Sequence, residues 1–387
     1  MCTCIITPIV HAGARALAIP VLMERQLNLS TPITDAAALS AAAANLASQK
    51  ALGLDTEFMR ERTYYAQLCL LQLGGSGPVV CVDPLALKSL EPLRPLMAAP
   101  GLCKILHAAR QDLEVLEPSV GVLHNVFDSQ VAAALVGFPA QIGYGDLVRE
   151  ILGVDLHKSQ TRTDWSRRPL SAAQIDYALD DVRHLPPLRE QLGERLERLG
   201  RSAWFEQEMA QLGGENFAVD PDQAWLRIKA FADLDPDRQR LAQMLGAWRE
   251  RRAMSSDRPR GWILPDGAFR DLVFQVPRDR AGLERLRELP DGIRENSGAQ
   301  LLALISAAAV PEPPAPLPQR RRPDTEQVDK VTRLADISRR VAAELGLAPE
   351  ILATRRELEQ LARGQRDGTL LRGWRREAIG AELLKAL

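Results

Sequence analysis

The stretch ALGLDTEFMRERTYYAQLCLLQLG, residues 51–74, decides the fold. It sets two acids, Asp55 and Glu57, among the apolar residues Leu52, Leu54 and Phe58, a pattern typical of a buried strand. Side chains at i and i+2 of a strand share a face, so both acids point the same way. Burying an unpaired carboxylate costs several kcal/mol. The two acids therefore need cations, a shared proton or a hydrogen-bond network.

The chain around this stretch has the pattern of an α/β domain. Over residues 31–205, short β-rich runs alternate with amphipathic helical patterns. The strand candidates are LGLDTEF, AQLCLLQL, PVVCVDP and CKILHA. The links between the first three, such as GGSGP, are too short for a crossover helix. We therefore expect an antiparallel meander within a mixed sheet that helices flank.

The second half of the chain changes character and predicts one or two small all-α domains. Residues 220–308 read as helical with Arg-rich stretches, and residues 324–387 read as helical again. Between them, residues 309–323 contain VPEPPAPLPQRRRP, which predicts a stiff linker. The two helical segments are candidates for distant copies of one module.

Composition and charge narrow the function classes. With 387 residues, 46% hydrophobic and 26% charged, the chain is long enough for two or three globular domains. The net charge of −1 hides an asymmetry: residues 31–250 hold 29 acids against 22 bases, and residues 251–387 hold 20 against 25. An acidic module followed by a basic one fits an enzyme that holds cations and a polyanion. The alternative is that the charged residues are scattered at random over solvated surfaces.

Cysteine usage and hydropathy indicate a cytoplasmic protein. The five cysteines are an odd number, and three of them lie in apolar runs where a thiol behaves as a small hydrophobe. No apolar run reaches the ~20 residues of a membrane span. Residues 1–30 lack a basic region ahead of an apolar block, so we read no secretion signal in this extension. Met23 is an alternative start.

Two further groups of residues complete a constellation with the strand acids. Asp112 begins a helical stretch directly after the strand candidate CKILHA, and Tyr177 and Asp181 stand at i and i+4 of a later helix. This oxygen-rich set suits two hard divalent cations and displacement at phosphorus. Each piece alone has a bland explanation: an edge strand, an acid favoured at a helix start, a packed tyrosine. Only their order and spacing together are specific.

These motifs resemble the ribonuclease D family of DEDD exonucleases, in the subgroup whose third motif carries a tyrosine. The matching stretches are LGLDTEFMRERTYYAQLCLLQL, KILHAARQDLEVL, VFDSQVAAALVG and LHKSQTRTDWSRRPLSAAQIDYALDDVRHLPPL. The resemblance extends from residue 31 onward, and the tail is similar to the helicase-and-RNase-D C-terminal (HRDC) module. It implies a ribonuclease H-like exonuclease domain over residues 31–205, an HRDC domain over 220–308 and a divergent HRDC-like domain over 324–387.

The resemblance also implies the roles of the five site residues. It implies that the metal ligands are Asp55, Glu57, Asp112 and Asp181. It also implies that Tyr177 positions or activates the attacking water. A free tyrosine has a pKa near ~10 and is a poor base at neutral pH. We therefore expect a water acidified by Mg²⁺ or Mn²⁺ to supply the hydroxide, while Tyr177 orients it.

Several neighbouring residues receive weaker assignments. Asp128 fits the family pattern, and we expect a structural role for it rather than a ligand role. Asp180 points about 100° away from Asp181 on a helix, so it reads as a solvated neighbour. Core or rim positions are the commoner case for His107 and His184, against a role as catalytic bases.

Basic and aromatic residues give the candidate nucleic-acid contacts. Lys158, Arg162 and Trp165 form a loop ahead of the third motif that either contacts phosphate and a terminal base or packs internally. In the HRDC region an arginine cluster can hold RNA by its backbone: Arg249, Arg251, Arg252, Arg258 and Arg260. We expect the flanking Trp248 and Trp262 to be core residues.

The resemblance implies a 3′-5′ exoribonuclease that trims tRNA precursors and other small structured RNAs, releasing 5′-mononucleotides. A DNA 3′-5′ exonuclease would share every ligand and is the alternative. A non-catalytic RNA-binding scaffold is disfavoured, because all four acids and the tyrosine are present. A P-loop enzyme is excluded because no G-x-x-x-x-G-K-[ST] occurs. Nothing in the sequence indicates a membrane or an obligate protein partner.

Overall fold

The computed structural model describes residues 31–75, 77, 79–156, 163–215, 217–231, 234–309 and 325–387. The predicted extension over residues 1–30 and almost all of the predicted linker over residues 309–323 lie outside these ranges. Within them, no helix is both long enough and apolar enough to cross a membrane.

A five-stranded mixed sheet forms the centre of the first domain. Its strands are β1 (Ala51–Met59), β2 (Gln67–Gly74), β3 (Val79–Val82), β4 (Cys103–Leu106) and β5 (Val126–Asp128). The order across the sheet is β3-β2-β1-β4-β5. The first three strands pair antiparallel, which confirms the predicted meander, and β4 and β5 pair parallel to it. The predicted α/β fold class, a mixed sheet flanked by helices, is confirmed.

Helices cover both faces of this sheet because successive residues of its central strands are apolar, as in β2, where both faces are buried. Leu52 and Leu54 of β1 are buried on one face against the first and third helices, and the opposite face lies under the fourth to eighth. The helices are α1 (Ala36–Leu46), α2 (Arg94–Ala98), α3 (Arg110–Val120), α4 (Ser129–Leu135), α5 (Tyr144–Leu152), α6 (Ala172–Arg183), α7 (Leu185–Arg198) and α8 (Ser202–Gly213).

A first helical unit follows and has its own core. After two 3₁₀ turns (Pro221–Arg227 and Lys229–Phe231) it contains α9 (Pro236–Ser256), α10 (Arg260–Ile263), α11 (Asp266–Gln275), α12 (Arg280–Glu284) and α13 (Asp291–Ala308). Trp225, Phe231 and Phe269 lie at the centre of a cluster that draws its buried members from this unit. Such a separate core is what an independently folding module requires.

A second helical unit packs into the first domain instead. It contains α14 (Thr325–Leu345), α15 (Pro349–Leu352), α16 (Arg355–Ala362), α17 (Gly373–Arg375), a π turn (Arg376–Gly380) and α18 (Ala381–Lys385). Its Leu334 and Trp374 belong to the same buried cluster as Phe127 of β5 and Phe205 of α8. The Trp374 ring stacks on Trp204, with centroids 4.5 Å apart. The last helices therefore complete the core of the first domain.

Polar contacts strengthen this junction. Trp374 Nε1 donates to Glu208 of α8 at 2.7 Å, and the Arg375 guanidinium pairs with the same carboxylate. Arg201 donates to the carbonyl of Leu135 at 2.7 Å and to that of Leu345 at 2.5 Å. Charged groups that are largely removed from water need such partners, so this interface has the character of a domain interior.

The first helical unit contacts the first domain through a clasp, which we define as Tyr64, Glu250, Asp257 and Arg260. The Tyr64 hydroxyl donates to the buried Glu250 carboxylate, and Arg260 pairs with that carboxylate while its guanidinium lies 4.8 Å from the Tyr64 ring centroid. Asp257 accepts from the backbone N–H of Tyr64 at 3.0 Å and of Tyr65 at 3.1 Å. The clasp fixes the β1–β2 loop, which follows the two strand acids.

Candidate active site

The two acids of β1 lie beside a third acid from α6. Carboxylate oxygens of Asp55, Glu57 and Asp181 all lie within 4.8 Å of one another. A β-bulge follows Glu57, where the register of β1 against β2 shifts. Bulges redirect side chains and occur next to active sites. The structure thus brings together three of the predicted site residues, Asp55 and Glu57 from one face of β1 and Asp181 from α6.

Close packing of α6 on β1 brings Asp181 to the strand. A Cβ at Gly53 would lie 2.9 Å from the carbonyl oxygen of Val182, so only glycine permits this approach without movement. The start of α6 is fixed by a capping box between Ser171 and Gln174, which satisfies backbone donors at the helix end. The lack of a side chain at Gly53 of β1 and the cap of α6 therefore set the position of Asp181.

Asp112 reaches the site from the other side of β1. The pairing of β1 with β4 runs from Ala51 to Gly53, which leaves the next part of β1 open on that side. Asp112 lies in the first turn of α3, is buried, and accepts a hydrogen bond from the Thr56 hydroxyl. It lies outside the three-acid group but near enough to affect its charge. Sequence reasoning missed Thr56, because a threonine within a strand gives no functional signal.

Burial and mutual repulsion make the four carboxyls hard to ionise in the protein alone. Burial, with Asp112, Asp181 and Glu57 nearby, raises the pKa of Asp55 well above its usual value. Burial and the charges of Asp181 and Asp112 raise the pKa of Glu57 to about 8. Burial raises the pKa of Asp112 and of Asp181 to about 7 each. Such clusters of shifted acids are typical of functional sites.

Two tyrosines border the acids. Tyr177 is half-buried one turn before Asp181 and hydrogen-bonds to its carboxylate; burial and the Asp181 charge raise the pKa of the phenol. Tyr144, at the start of α5, donates to the carbonyl of Asp180 at 3.2 Å, and burial with the Asp181 charge raises its pKa as well. Both phenols are therefore neutral hydrogen-bond donors at neutral pH. Tyr144 was not predicted, since nothing in its local sequence distinguishes it.

The site suits divalent cations. Its donors are carboxylate oxygens, which hard cations such as Mg²⁺ and Mn²⁺ prefer. Cations would also offset the repulsion that raises the pKa of Asp55, Glu57 and Asp181. Binding of divalent cations would therefore explain why Asp55 and Glu57 lie together on β1.

Comparison with known proteins agrees with the fold. Residues 30–197 match the 3′-5′ exonuclease family, and residues 238–305 match the HRDC domain. Ribonuclease D of Jannaschia sp. is 39% identical over 365 residues, which cover 92% of this chain and 94% of that protein. Ribonuclease D of Pseudomonas paraeruginosa is 35% identical over 366 residues, which cover 92% and 96%.

The chain belongs to the ribonuclease D family. A crystal structure of Escherichia coli RNase D superposes with a TM-score of 0.84 at 30% identity, covering 92% of this chain and 98% of that one. The chain is therefore a hydrolase of the 3′-5′ exoribonuclease class, and the predicted family resemblance is confirmed. Membership in this family implies divalent metal ions.

In this ribonuclease D family member, Asp128 holds the backbone around the site. Its carboxylate accepts from the N–H groups of Ala108 at 3.0 Å, Ala109 at 2.8 Å and Gln130 at 2.8 Å. It thereby caps α4 and stabilises Ala108, whose φ of 59° is unusual for a residue with a Cβ. These bonds give Asp128 the structural role that we expected of it.

The histidines and Asp180 also have structural partners. The two ring nitrogens of His107 lie 2.9 Å from the Ser129 hydroxyl and from the Ile142 carbonyl, and burial lowers the pKa of the imidazole. His184 lies between α6 and α7, and burial lowers its pKa too. Asp180 pairs with Arg183. These contacts favour structural rather than catalytic roles.

The loop before α6 carries the predicted substrate contacts. Lys158 and Arg162 lie outside the described residues. Trp165 is 5% exposed and lies 6.2 Å from Tyr177 between ring centroids, which favours internal packing over stacking on a base. Arg168, which sequence reasoning missed, anchors the loop: it pairs with the buried Asp83 at 2.6 Å and donates to the carbonyl of Cys69 at 2.7 Å.

Proposed function

We propose that this chain trims 3′ extensions from tRNA precursors and other small structured RNAs by two-metal-ion hydrolysis, and releases 5′-mononucleotides. The observation that carries the proposal is the approach of Asp55, Glu57 and Asp181 within 4.8 Å beside Tyr177. The E. coli relative is described as an exoribonuclease involved in structured RNA processing. That description supports structured RNA as the substrate class.

The residues of the site divide the work as follows. Asp55, Glu57, Asp112 and Asp181 would hold two divalent cations, either Mg²⁺ or Mn²⁺. When bound, such cations supply an acidified water and neutralise charge that develops on phosphate. Tyr177 keeps its proton, because burial and Asp181 raise its pKa, and so it acts as a donor that orients the nucleophile. Asp128 and the Arg168 anchor fix the surrounding backbone.

Two of the five arginines that were predicted to contact RNA form contacts within the protein instead. Arg249 is buried and pairs with Asp266 at 2.6 Å, and Arg260 pairs with Glu250 in the clasp, so both stabilise the helical unit itself. The three other arginines, Arg251, Arg252 and Arg258, are exposed. Arg251 pairs with the exposed Asp222 at 2.7 Å and Arg252 donates to Gln300 at 3.4 Å, and such exposed contacts are weak enough for phosphates to replace. The expectation that both tryptophans are core residues holds for Trp248, but Trp262 is 59% exposed. We assign that ring to stacking on unpaired bases.

The remaining proposals concern organisation and location. We propose an exonuclease domain over residues 31–205, an HRDC domain over 220–308, a linker over 309–323 and a divergent HRDC-like unit over 324–387. Cys69, Cys81 and Cys103 are free and buried, which supports a reducing cytoplasm as the location. No obligate protein partner is proposed.

The test is digestion of a 3′-extended tRNA labelled at its 5′ end, beside a DNA of matched sequence. We expect stepwise shortening of the RNA that stops near the mature end, needs Mg²⁺ or Mn²⁺, and is absent in Asp55→Asn. Equal degradation of the DNA would favour the alternative of a DNA exonuclease. No shortening of either substrate would reject hydrolysis at this site.

A further inference from the structure

The side-chain amide of Gln72 is buried in the sheet and has no hydrogen bond to any described residue. The side chain is 0% exposed, and neither its Nε2 nor its Oε1 has a partner among the described residues. A buried polar group left unsatisfied costs about 1–3 kcal/mol. An apolar side chain of similar size would avoid that cost. The residue therefore needs an explanation beyond packing.

The register of the sheet places Gln72 beside the metal-site acids. Gln72 of β2 is the direct partner of Asp55 of β1. Directly opposite residues of an antiparallel pair project to the same face, with Cβ atoms about 4.5–5.5 Å apart. On its other side Gln72 pairs with Cys81 of β3. Asp55 is therefore the neighbouring cross-strand residue with a strong hydrogen-bond acceptor.

Helix α6 encloses this space. A Cβ at Gly74, two residues along the same face, would lie 3.3 Å from Cγ2 of Val182. Gly53, the other residue of β1 diagonal to Gln72 besides Glu57, is overlaid by the same helix. The two glycines therefore bring α6 down onto the face of the sheet that bears both Gln72 and Asp55, and the Gln72 side chain on that face is fully buried.

The chemistry of an amide fits this position. It offers two N–H donors and an acceptor but carries no charge. A lysine or arginine there would also donate to Asp55, but its charge would repel the cations that the acids are to hold. A glutamine can therefore orient a metal-binding carboxylate without opposing the metal. Partners of this kind behind a ligand typically change metal affinity by about 10–100-fold.

We propose that Gln72 is a positioning residue: its side-chain N–H, unpartnered in the metal-free protein, donates to Asp55 when that carboxylate binds a cation, and holds it in that orientation. The inference rests on the proposed metal site and adds to it a residue that supports the ligands from β2. It applies to Gln72 alone and needs no change in the assignment of the four acids.

The experiment measures Mn²⁺ binding to the full chain without RNA, by electron paramagnetic resonance of the free ion. Gln72→Met removes the amide and keeps the volume. Leu70→Met is the matched control, since Leu70 is equally buried and lies two residues away on the same face of β2. We expect Gln72→Met to weaken Mn²⁺ binding by about tenfold, and Leu70→Met to leave it unchanged. The melting temperature in EDTA should be equal or higher in Gln72→Met, because an unsatisfied group is lost.

The outcomes are separable. A Gln72→Met variant that binds Mn²⁺ as tightly as the wild type overturns the inference, and so does an equal loss in Leu70→Met. If Gln72→Met does not fold, Gln72→Asn takes its place; it keeps the amide but withdraws it by one methylene, and the same weakening is expected. A wild-type chain that binds no Mn²⁺ rejects the proposed metal site, and the inference with it, before any variant is compared.

Discussion

At the scale of single residues, the carboxyls of β1, α3 and α6 repel one another in a volume with little water. In the metal-free protein they keep protons that an unfolded chain releases near pH 4, since the folded pKa is about 8 for Glu57 and about 7 for Asp112 and Asp181. The stability from these groups is therefore fully present at low pH and is lost as the pH rises through about 8.

The first prediction follows from that sign. In EDTA, the melting temperature should fall between about pH 5 and about pH 8, and added Mg²⁺ should reverse the fall because it favours the ionised acids. Differential scanning calorimetry of the wild type and Asp181→Asn measures it. The variant lacks one carboxyl of raised pKa, so its melting temperature should fall less steeply with pH. An equal dependence of melting temperature on pH in the two proteins would contradict the assignment.

A second prediction separates Tyr177 from the ligands. Tyr177→Phe should slow hydrolysis by about 10²-fold, the typical effect of losing one donor in a preorganised site, while Mn²⁺ affinity stays near that of the wild type. Tyr144→Phe is the control, because its hydroxyl donates to the Asp180 carbonyl and should affect the rate less. Single-turnover rates and Mn²⁺ titrations give both quantities. Full activity in Tyr177→Phe would end the proposed role.

The sequence alone predicted the residues whose positions follow from local geometry. Asp55 and Glu57 share a face because strands alternate, and Tyr177 contacts Asp181 because helices repeat. Thr56 and Gln72 could not be predicted in the same way. The contact of Thr56 with Asp112 depends on where β4 stops pairing, and the burial of Gln72 depends on how closely α6 approaches. Both are properties of tertiary packing.

At the scale of elements, the β1–β2 loop depends on the helical unit that clasps it. Asp257→Ala should remove the acceptor for the N–H groups of Tyr64 and Tyr65, so these amides should exchange with deuterium faster. Hydrogen exchange read by mass spectrometry over residues 59–68 measures this. Asp237→Ala, at the opposite end of α9, should leave that peptide unchanged. Equal protection in both variants would show that the clasp does not order the loop.

A further prediction concerns the exposed ring of α10. Trp262→Ala should weaken binding of single-stranded RNA by about 1–3 kcal/mol, the usual contribution of one stacked base, and should leave the melting temperature unchanged. Leu226→Ala in the same unit is the control, since that side chain is 51% exposed but has no ring. Fluorescence anisotropy with a catalytically inactive Asp55→Asn background gives the affinities. Equal RNA affinities of the two variants would show that Trp262 does not contact the RNA.

The two tryptophans show why element-level prediction failed in one case. Trp248 lies in the 21-residue α9, where periodicity places it on the buried side. Trp262 lies in α10, which spans four residues, Arg260–Ile263. A helix of about one turn has no periodicity to read, so the exposed face could not be identified from sequence.

At the scale of the whole molecule, the last helices belong to the core of the first domain. A chain that ends at residue 309 should lose more than about 10 °C in melting temperature, because burying a side chain such as Trp374 alone contributes about 3 kcal/mol. As the control, a protease site inserted at residues 312–320 should allow cleavage without separation of the two pieces. Gel filtration after cleavage and calorimetry of the truncation test this. A truncated chain as stable as the intact one would contradict it.

Domain order was predictable from sequence because composition and Pro-rich segments mark it, but this merging of cores was not. The sequence predicts residues 324–387 as a helical segment of their own, whereas Leu334 and Trp374 of that segment lie in the core of the first domain. Nothing local indicates that their partners are Phe127 and Trp204, more than a hundred residues earlier. Contacts at such separation depend on the whole fold.

This shared core also determines when, during synthesis, the first domain can finish folding. The helices that complete the core of the first domain leave the ribosome about 10–35 s after α8 at ordinary elongation rates of about 5–20 residues per second. Until then the chain emerges beside ribosomal RNA, transfer RNA and its own messenger with the exonuclease core only partly buried. A nuclease whose catalytic domain needs helices from residues 325–387 for its core therefore stays incompletely folded until those helices have been synthesised.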